Sequence, residues 1–238
     1  MTKEIQLGLF GNEVRRKTQR RRGKRLNSAT CNEMRWDLWT QETASEKFMA
    51  LFFLDIRDFS PLTEREHARD IINIVRKLFS AFKTLIRIHH GRIIETTGDG
   101  FYAAFGFDRS PSQAVNDAVQ AGHAILKMLE KLNDGSLESR LKRRIQIGIG
   151  VHAGEVATGA IDLNGNNHIL VMGHAVTVAS RIQSATKLVN NNFLISSAAS
   201  GWLEPGAIIH GPVSTHLKGL SGPVEVYALG KPYPSPGA

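Results

Sequence analysis

The sequence predicts an α+β domain, a mostly antiparallel sheet with helices packed on one face, behind a basic N-terminal arm. Three observations predict it. Apolar, strand-forming runs fill residues 47–57 and flank Gly98-Asp99-Gly100. Two long stretches repeat apolar residues at helical spacing. Between them the order runs strand, helix, strand, strand, helix, strand.

The first strand, Phe48-Met-Ala-Leu-Phe-Phe-Leu-Asp55, is too continuously apolar to be half exposed, and it ends on a carboxylate. Ala68, Ile71, Ile72, Val75, Leu78, Phe79, Phe82, Leu85 and Ile86 then share one helical face. Ile93–Phe105 follows as a hairpin with Asp99 at its turn. Pro111 opens a second helix with Ala114, Val115, Ala118, Ala121, Ile125, Leu129 and Leu132 inward, and Asn133-Asp-Gly135 stops it. Arg144–His152 alternates with period two, a strand with one face inward. Asn164–Asn167 is a turn and His168–Met172 its returning strand. A third helix runs from Gly173 to about Lys187, with Val176, Ala179, Ile182 and Ala185 inward. Short strands are expected near Phe193–Ile195, Ala207–Leu217 and Val224–Leu229, and Pro232, Pro234 and Pro236 terminate the chain. The core order is the split βαβ plan of ferredoxin-like folds. Glycines 148, 150, 154 and 159 are expected to permit close backbone packing.

Of the 238 residues, 1–46 read as the arm, 47–230 as the folded body and 231–238 as a proline-rich tail. Residues 1–30 hold nine Lys/Arg against Glu4 and Glu13, so nearly all of the net charge of +8 belongs to the arm. Arg15, Arg16, Lys17, Arg20, Arg21, Arg22, Lys24 and Arg25 suit an anionic partner, nucleic acid or lipid, and equally a solvated arm. Trp36 and Trp39 suggest that its end docks on an apolar surface. No apolar run approaches the roughly 20 residues that span a bilayer, and Ile5–Phe10 is too short for a secretory h-region. Cys31 is the sole cysteine, which excludes a disulfide framework and fits a cytoplasmic protein.

Asp55 at a strand end and Asp99 at a hairpin turn can share divalent cations, with the Ile56 carbonyl as a third donor. Mg²⁺-type ions take few protein ligands and complete their shell with phosphate oxygens and water. Each Asp alone is equally a turn former. His152, a lone strand histidine, reads as a structural residue.

Four segments occur in order: Phe53-Leu-Asp55-Ile-Arg-Asp-Phe59, Glu95-Thr-Thr-Gly-Asp99, Ile147-Gly-Ile-Gly-Val-His152-Ala-Gly154 and Gly173-His-Ala-Val-Thr-Val-Ala-Ser-Arg181-Ile182. With these the chain resembles the catalytic domain of the class III nucleotidyl cyclases across roughly residues 47–230. The tail segment Leu217-Lys218-Gly-Leu220 before Pro223–Tyr227 is similar to the family's closing strands. The resemblance implies a head-to-tail homodimer with active sites shared at the interface. It implies two Mg²⁺ or Mn²⁺ ions on Asp55, Ile56 and Asp99 of one protomer, with a nucleoside triphosphate as substrate. Arg181 and Thr177 then serve the transition state, Glu95 and Leu170 read the base, and Lys218 and Phe59 contact the substrate.

Three positions depart from the family's purine codes. Glu95 stands where adenylate cyclases carry Lys and guanylate cyclases Glu. Leu170 stands where those enzymes place Asp, Thr or Cys, and Thr177 replaces the usual Asn. Three readings follow. One is a guanylate or adenylate cyclase in bacterial signalling. Another is a pyrimidine cyclase of the compact anti-phage (Pycsar) type, with only the arm ahead of the core and UTP preferred because Glu95 can accept from uracil N3–H. The last is a degenerate domain that senses nucleotides without turnover.

Overall fold

The computed structural model describes residues 44–163 and 166–234; the basic residues 15–25, Cys31, Trp36 and Trp39 lie outside them. Strand β1 (Ser45–Ile56) starts two residues earlier than the sequence indicates and stops before Arg57. A short helix α1 (Phe59–Arg65), which sequence periodicity did not reveal, follows and leads into α2 (Ala68–Ile88). Ile71, Leu78, Phe82 and Ile86 of α2 are buried, but Ala68 and Ile72 are exposed, because the apolar stripe there is wider than the face that meets the sheet.

Strands β2 (Arg92–Thr97) and β3 (Gly100–Phe105) form the expected hairpin. Gly98 alone has a positive φ (+64°) at the first central position, the pattern of a type II′ turn. Helix α3 (Pro111–Leu132) begins at a capping box made by Ser110 and Gln113. It does not stop at Asn133–Gly135: the chain continues through a π-turn (Asn133–Leu137) into α4 (Glu138–Leu141). The Asn133 side chain is occupied in pairing both backbone groups of Ile145 at 2.9 Å, and Leu137 and Leu141 are drawn into the core.

Strand β4 (Ile147–Leu163) is longer than expected, and Arg144 lies outside it, paired with Asp134 and Glu138. Asn166 and Asn167 belong to β5 (Asn166–Met172) rather than to the turn. Helix α5 (His174–Ala185), β6 (Phe193–Ser196), the single-turn α6 (Ser197–Ser200), β7 (His210–His216) and β8 (Pro223–Ala228) complete the body.

The sheet order is β2-β3-β1-β4-β6-β8-β7, with β5 paired to β4. Its first four strands are antiparallel neighbours in the ferredoxin-like arrangement, and only β4–β6 is parallel. Helices cover both faces, not one. Ala50, Phe52, Leu54 and Ile56 of β1 join the core of α2 and α3, whereas Met49 and Leu51 pack with Ala175 and Ala179 of α5 on the other side. Glycines make room for α5. A Cβ at Gly150 would lie 2.2 Å from the Gln183 backbone nitrogen, and one at Gly148 2.5 Å from Thr186 Oγ1. Gly154 is likewise close to Ala175, but Gly159 has nothing within 4 Å, so the packing role assigned to it does not hold.

Candidate active site

Asp55 is the last but one residue of β1 and pairs across the sheet with Gly100 on one side and Gly148 on the other. Both neighbours lack a side chain, so the carboxylate lies against backbone; its Oδ1 is 3.0 Å from the place a Gly100 Cβ would take. Asp99 is brought beside it by the β2–β3 turn, which is tied to β1 by the Ile56 N–H donating to the Asp99 carbonyl at 3.1 Å. Burial, then the charge of Asp99, push the Asp55 carboxyl up to about 6, against weaker opposing fields from Lys187 and Arg57. Two half-buried carboxylates pressed together fit a hard divalent cation, which would relieve their repulsion. Among the described residues no cluster of three or more His, Cys, Asp or Glu occurs. A cation held by Asp55 and Asp99 therefore keeps positions for water and phosphate oxygens.

Thr177 and Arg181 stand one turn apart on α5, hence on one side of it. Thr177 is exposed. The Arg181 Nε is buried without a hydrogen-bond partner, and its guanidinium makes no ion pair among the described residues. No described hydrogen bond or ion pair links Arg181 or Thr177 to Asp55 or Asp99.

Glu95 pairs with Tyr102 across the hairpin, and Tyr102 pairs with Phe53 of β1. The Phe53 and Tyr102 rings stack at 5.0 Å with 10° between their planes, and the Tyr102 hydroxyl donates to the Val171 carbonyl at 3.1 Å. Burial and the nearby Glu95 charge both raise the Tyr102 hydroxyl's pKa. Tyr102 thus joins the strand of Glu95 to that of Leu170, which is 38% exposed on β5. Sequence reading missed Tyr102; an aromatic in a fully buried strand looks like core.

Two other expected substrate contacts stand apart. Lys218 is exposed in the turn between β7 and β8. The Phe59 side chain packs on the main core and lines an apolar groove of about 860 Å³ beside Val75, Phe79 and Ile93. Neither that groove nor a second of about 750 Å³ is lined by Asp55, Asp99, Glu95, Leu170, Thr177 or Arg181. Of those six, Glu95, Leu170 and Thr177 are exposed and Asp55, Asp99 and Arg181 are half-buried. His152 is a neutral structural residue: burial, then the neighbouring His174, lower its pKa to about 4, and its Nδ1 is 2.8 Å from Ser196 Oγ.

Known proteins similar to this chain share its fold. It is 23% identical to adenylate cyclase 1 of Rhizobium meliloti over 191 residues, which cover 80% of this chain and 28% of that protein. It is 30% identical to an adenylate cyclase of Anabaena cylindrica over 158 residues (65% and 30%), and 28% identical to the receptor-type guanylate cyclase gcy-6 of Caenorhabditis elegans over 148 residues (62% and 13%). The chain spans less than a third of the length of these relatives. Among solved structures, the adenylyl cyclase CyaB of P. aeruginosa superposes with a TM-score of 0.71 at 22% identity, covering 78% of this chain and 95% of that one. The guanylate cyclase domain of RhGC from Catenaria anguillulae, solved with GTP, gives 0.65 at 22%, covering 77% and 97%. The family model for the adenylate and guanylate cyclase catalytic domain matches residues 41–231, and the chain belongs to that family, the class III nucleotidyl cyclases.

Proposed function

We propose that the chain converts a nucleoside triphosphate into a 3′,5′-cyclic nucleotide and pyrophosphate, and that its substrate is UTP. The observation that carries the reaction is the Asp55–Asp99 pair, half-buried and electrostatically strained at the edge of an open face. Mg²⁺ or Mn²⁺ bound there would supply charge neutralisation for the triphosphate and a lowered pKa for the attacking 3′-hydroxyl. Asp55, the Ile56 carbonyl and Asp99 would hold the cations. The 3′-oxygen attacks the α-phosphorus in line, its proton leaves to solvent, and the bond to the pyrophosphate oxygen breaks. Arg181, with an unsatisfied buried donor, is suited to charge growing on the α-phosphoryl oxygens. Thr177 offers a hydroxyl one turn away.

No hydrogen bond or ion pair among the described residues joins these groups, and in this reading a head-to-tail homodimer brings them together, each site taking its cations from one protomer and Arg181, Thr177, Glu95 and Leu170 from the other. Apolar residues exposed on the β4–β5 hairpin, Ile161, Leu170 and Met172, suit such an interface. Lys218 would reach the triphosphate of the shared site, whereas Phe59 supports the fold as a core residue. The catalytic body spans 47–230 in this reading, and the basic arm meets an anionic partner in the cytoplasm. Among the described residues no helix is long and apolar enough to cross a membrane.

Glu95 and Leu170 carry the choice of base. A carboxylate accepts from uracil N3–H, whereas cytosine N3 is itself an acceptor. Leu170 offers bulk and no hydrogen bond, which suits a small base on the Phe53–Tyr102 platform. The cyclic product would serve as a second messenger in anti-phage signalling. Incubation with ATP, GTP, CTP and UTP, each with Mn²⁺, followed by product identification, tests the reading. Cyclic UMP as main product is expected. Product from GTP alone overturns the base assignment, and no product from any triphosphate overturns catalysis in favour of nucleotide sensing.

A further inference from the structure

Arg57 is a charged residue, 8% exposed, two positions beyond Asp55, and the reaction above gives it no role. Its guanidinium forms no ion pair with a carboxylate among the described residues, although Asp55 lies near enough to feel its field and Asp99 stands beside Asp55. An arginine beside two carboxylates ordinarily closes on them as a forked ion pair. Here it is held elsewhere, over the ring of Tyr233, with its Cζ 4.0 Å from the ring centroid.

Tyr233 lies in the C-terminal segment that sequence reading took for a terminator. That segment is a strap. The Gly230 N–H donates to Asn191 Oδ1 (3.2 Å) and the Lys231 N–H to Asn192 Oδ1 (2.9 Å). The Lys231 carbonyl accepts from the Asn192 N–H (3.0 Å), and the Tyr233 N–H donates to Asn190 Oδ1 (3.3 Å). The Tyr233 hydroxyl donates to the Ile147 carbonyl at 3.1 Å and sits 3.1 Å from where a Gly148 Cβ would be, and Gly148 is the cross-strand partner of Asp55. The ring is therefore fixed against β4, the strand next to the one that carries Asp55.

We infer that Tyr233 is a positioning residue of the active site: the C-terminal strap holds the Arg57 guanidinium on the tyrosine ring and off Asp55 and Asp99, leaving both carboxylates open to cations. Without the ring face, Arg57 is free to pair with Asp55 and compete with the metal. This rests on reading Asp55 and Asp99 as cation ligands, and the test separates the two ideas.

Mn²⁺ binding to the full chain, without nucleotide, is measured from the loss of the free-ion electron paramagnetic resonance signal. Asp55→Asn must abolish binding; if it does not, the ligand assignment fails, whatever Tyr233 does. Tyr233→Leu keeps apolar bulk but removes the π-face, and is expected to weaken Mn²⁺ about tenfold, the scale for losing a group that orients a metal ligand. Tyr233→Phe keeps the face and should stay within about twofold of the parent. The decisive variant is Tyr233→Leu with Arg57→Gln: removing the competitor should restore binding to within about threefold. A tyrosine that only stiffened the fold would leave the double variant as weak as Tyr233→Leu. That result, or an unchanged affinity in Tyr233→Leu, overturns the inference.

Discussion

The metal corner and the α5 ridge share one face of the sheet but are finished to different degrees. Asp55 and Asp99 are assembled entirely by this chain: a strand end, a turn, two side-chain-free neighbours and a backbone hydrogen bond from the Ile56 N–H to the Asp99 carbonyl. Thr177 and Arg181 are positioned by their own helix and then left without partners. The carboxylate pair lacks a cation, and the buried arginine donor lacks an acceptor such as a phosphate oxygen. In the proposed function these two groups are half-sites, each completed by a second copy of the chain.

Complementation breaks or sharpens that comparison with the largest effect. Asp55→Asn and Asp99→Asn should each lower turnover on the order of a thousandfold or more, since several kcal/mol of charge stabilisation disappear with the cation. Arg181→Ala should lose roughly 10²–10³, the scale for one transition-state donor. If the half-sites belong to different protomers, mixing Asp55→Asn with Arg181→Ala after unfolding and refolding together should recover about a quarter of parental activity, from mixed dimers with one intact site. Pyrophosphate release measures all of these. No recovery in the mixture, with each variant shown to fold, would place both half-sites in one chain.

A smaller effect is expected where α5 crosses the sheet near the metal corner. Gly150→Ala drives a Cβ to within 2.2 Å of the Gln183 backbone nitrogen, and backbone cannot rotate away. A loss of about 2 kcal/mol in urea unfolding is expected. Gly159→Ala, with open space around it, should stay within about 0.5 kcal/mol. Equal costs at the two positions would remove the argument that glycine sets the helix-to-sheet distance at this corner.

The same glycines explain where the sequence was legible and where it was not. Asp55, Asp99 and the strand order could be read because apolar runs and a Gly-Asp-Gly turn are local signals. The placement of α5 could not. Ile147, Ile149 and Val151 alternating with glycines looks like a strand buried on one side, whereas the glycines are where the helix enters. Tyr102 and Tyr233 were missed for a related reason. Each has its ring placed by a hydroxyl bonded to a carbonyl far away in sequence, Val171 and Ile147 respectively, and no spacing rule spans such distances. Leu170 and Thr177 were identifiable only as departures from a family pattern.

The smallest expected effect tests the strain in the metal corner by itself. In cation-free protein the Asp55 carboxyl is raised from 3.8 to about 6, so folding favours its protonated form. Above about pH 6 the native state holds a charge that the unfolded chain carries more easily, and Asp55 then subtracts from stability. The deficit shrinks as pH falls from 6 towards 4 and is gone once both states are protonated. The group is partly exposed, and after solvent screening the full effect is about 1 kcal/mol. Asp55→Asn in a chelator should therefore be more stable than the parent by that amount at pH 7.5 and equal to it near pH 3, read from thermal unfolding at each pH. Adding Mn²⁺ at pH 7.5 should reverse the order, because only the parent gains binding free energy in its folded state. A stability gain that persists at pH 3 would mean the asparagine acts by packing; no gain at pH 7.5 would mean the two carboxylates do not strain the corner at all.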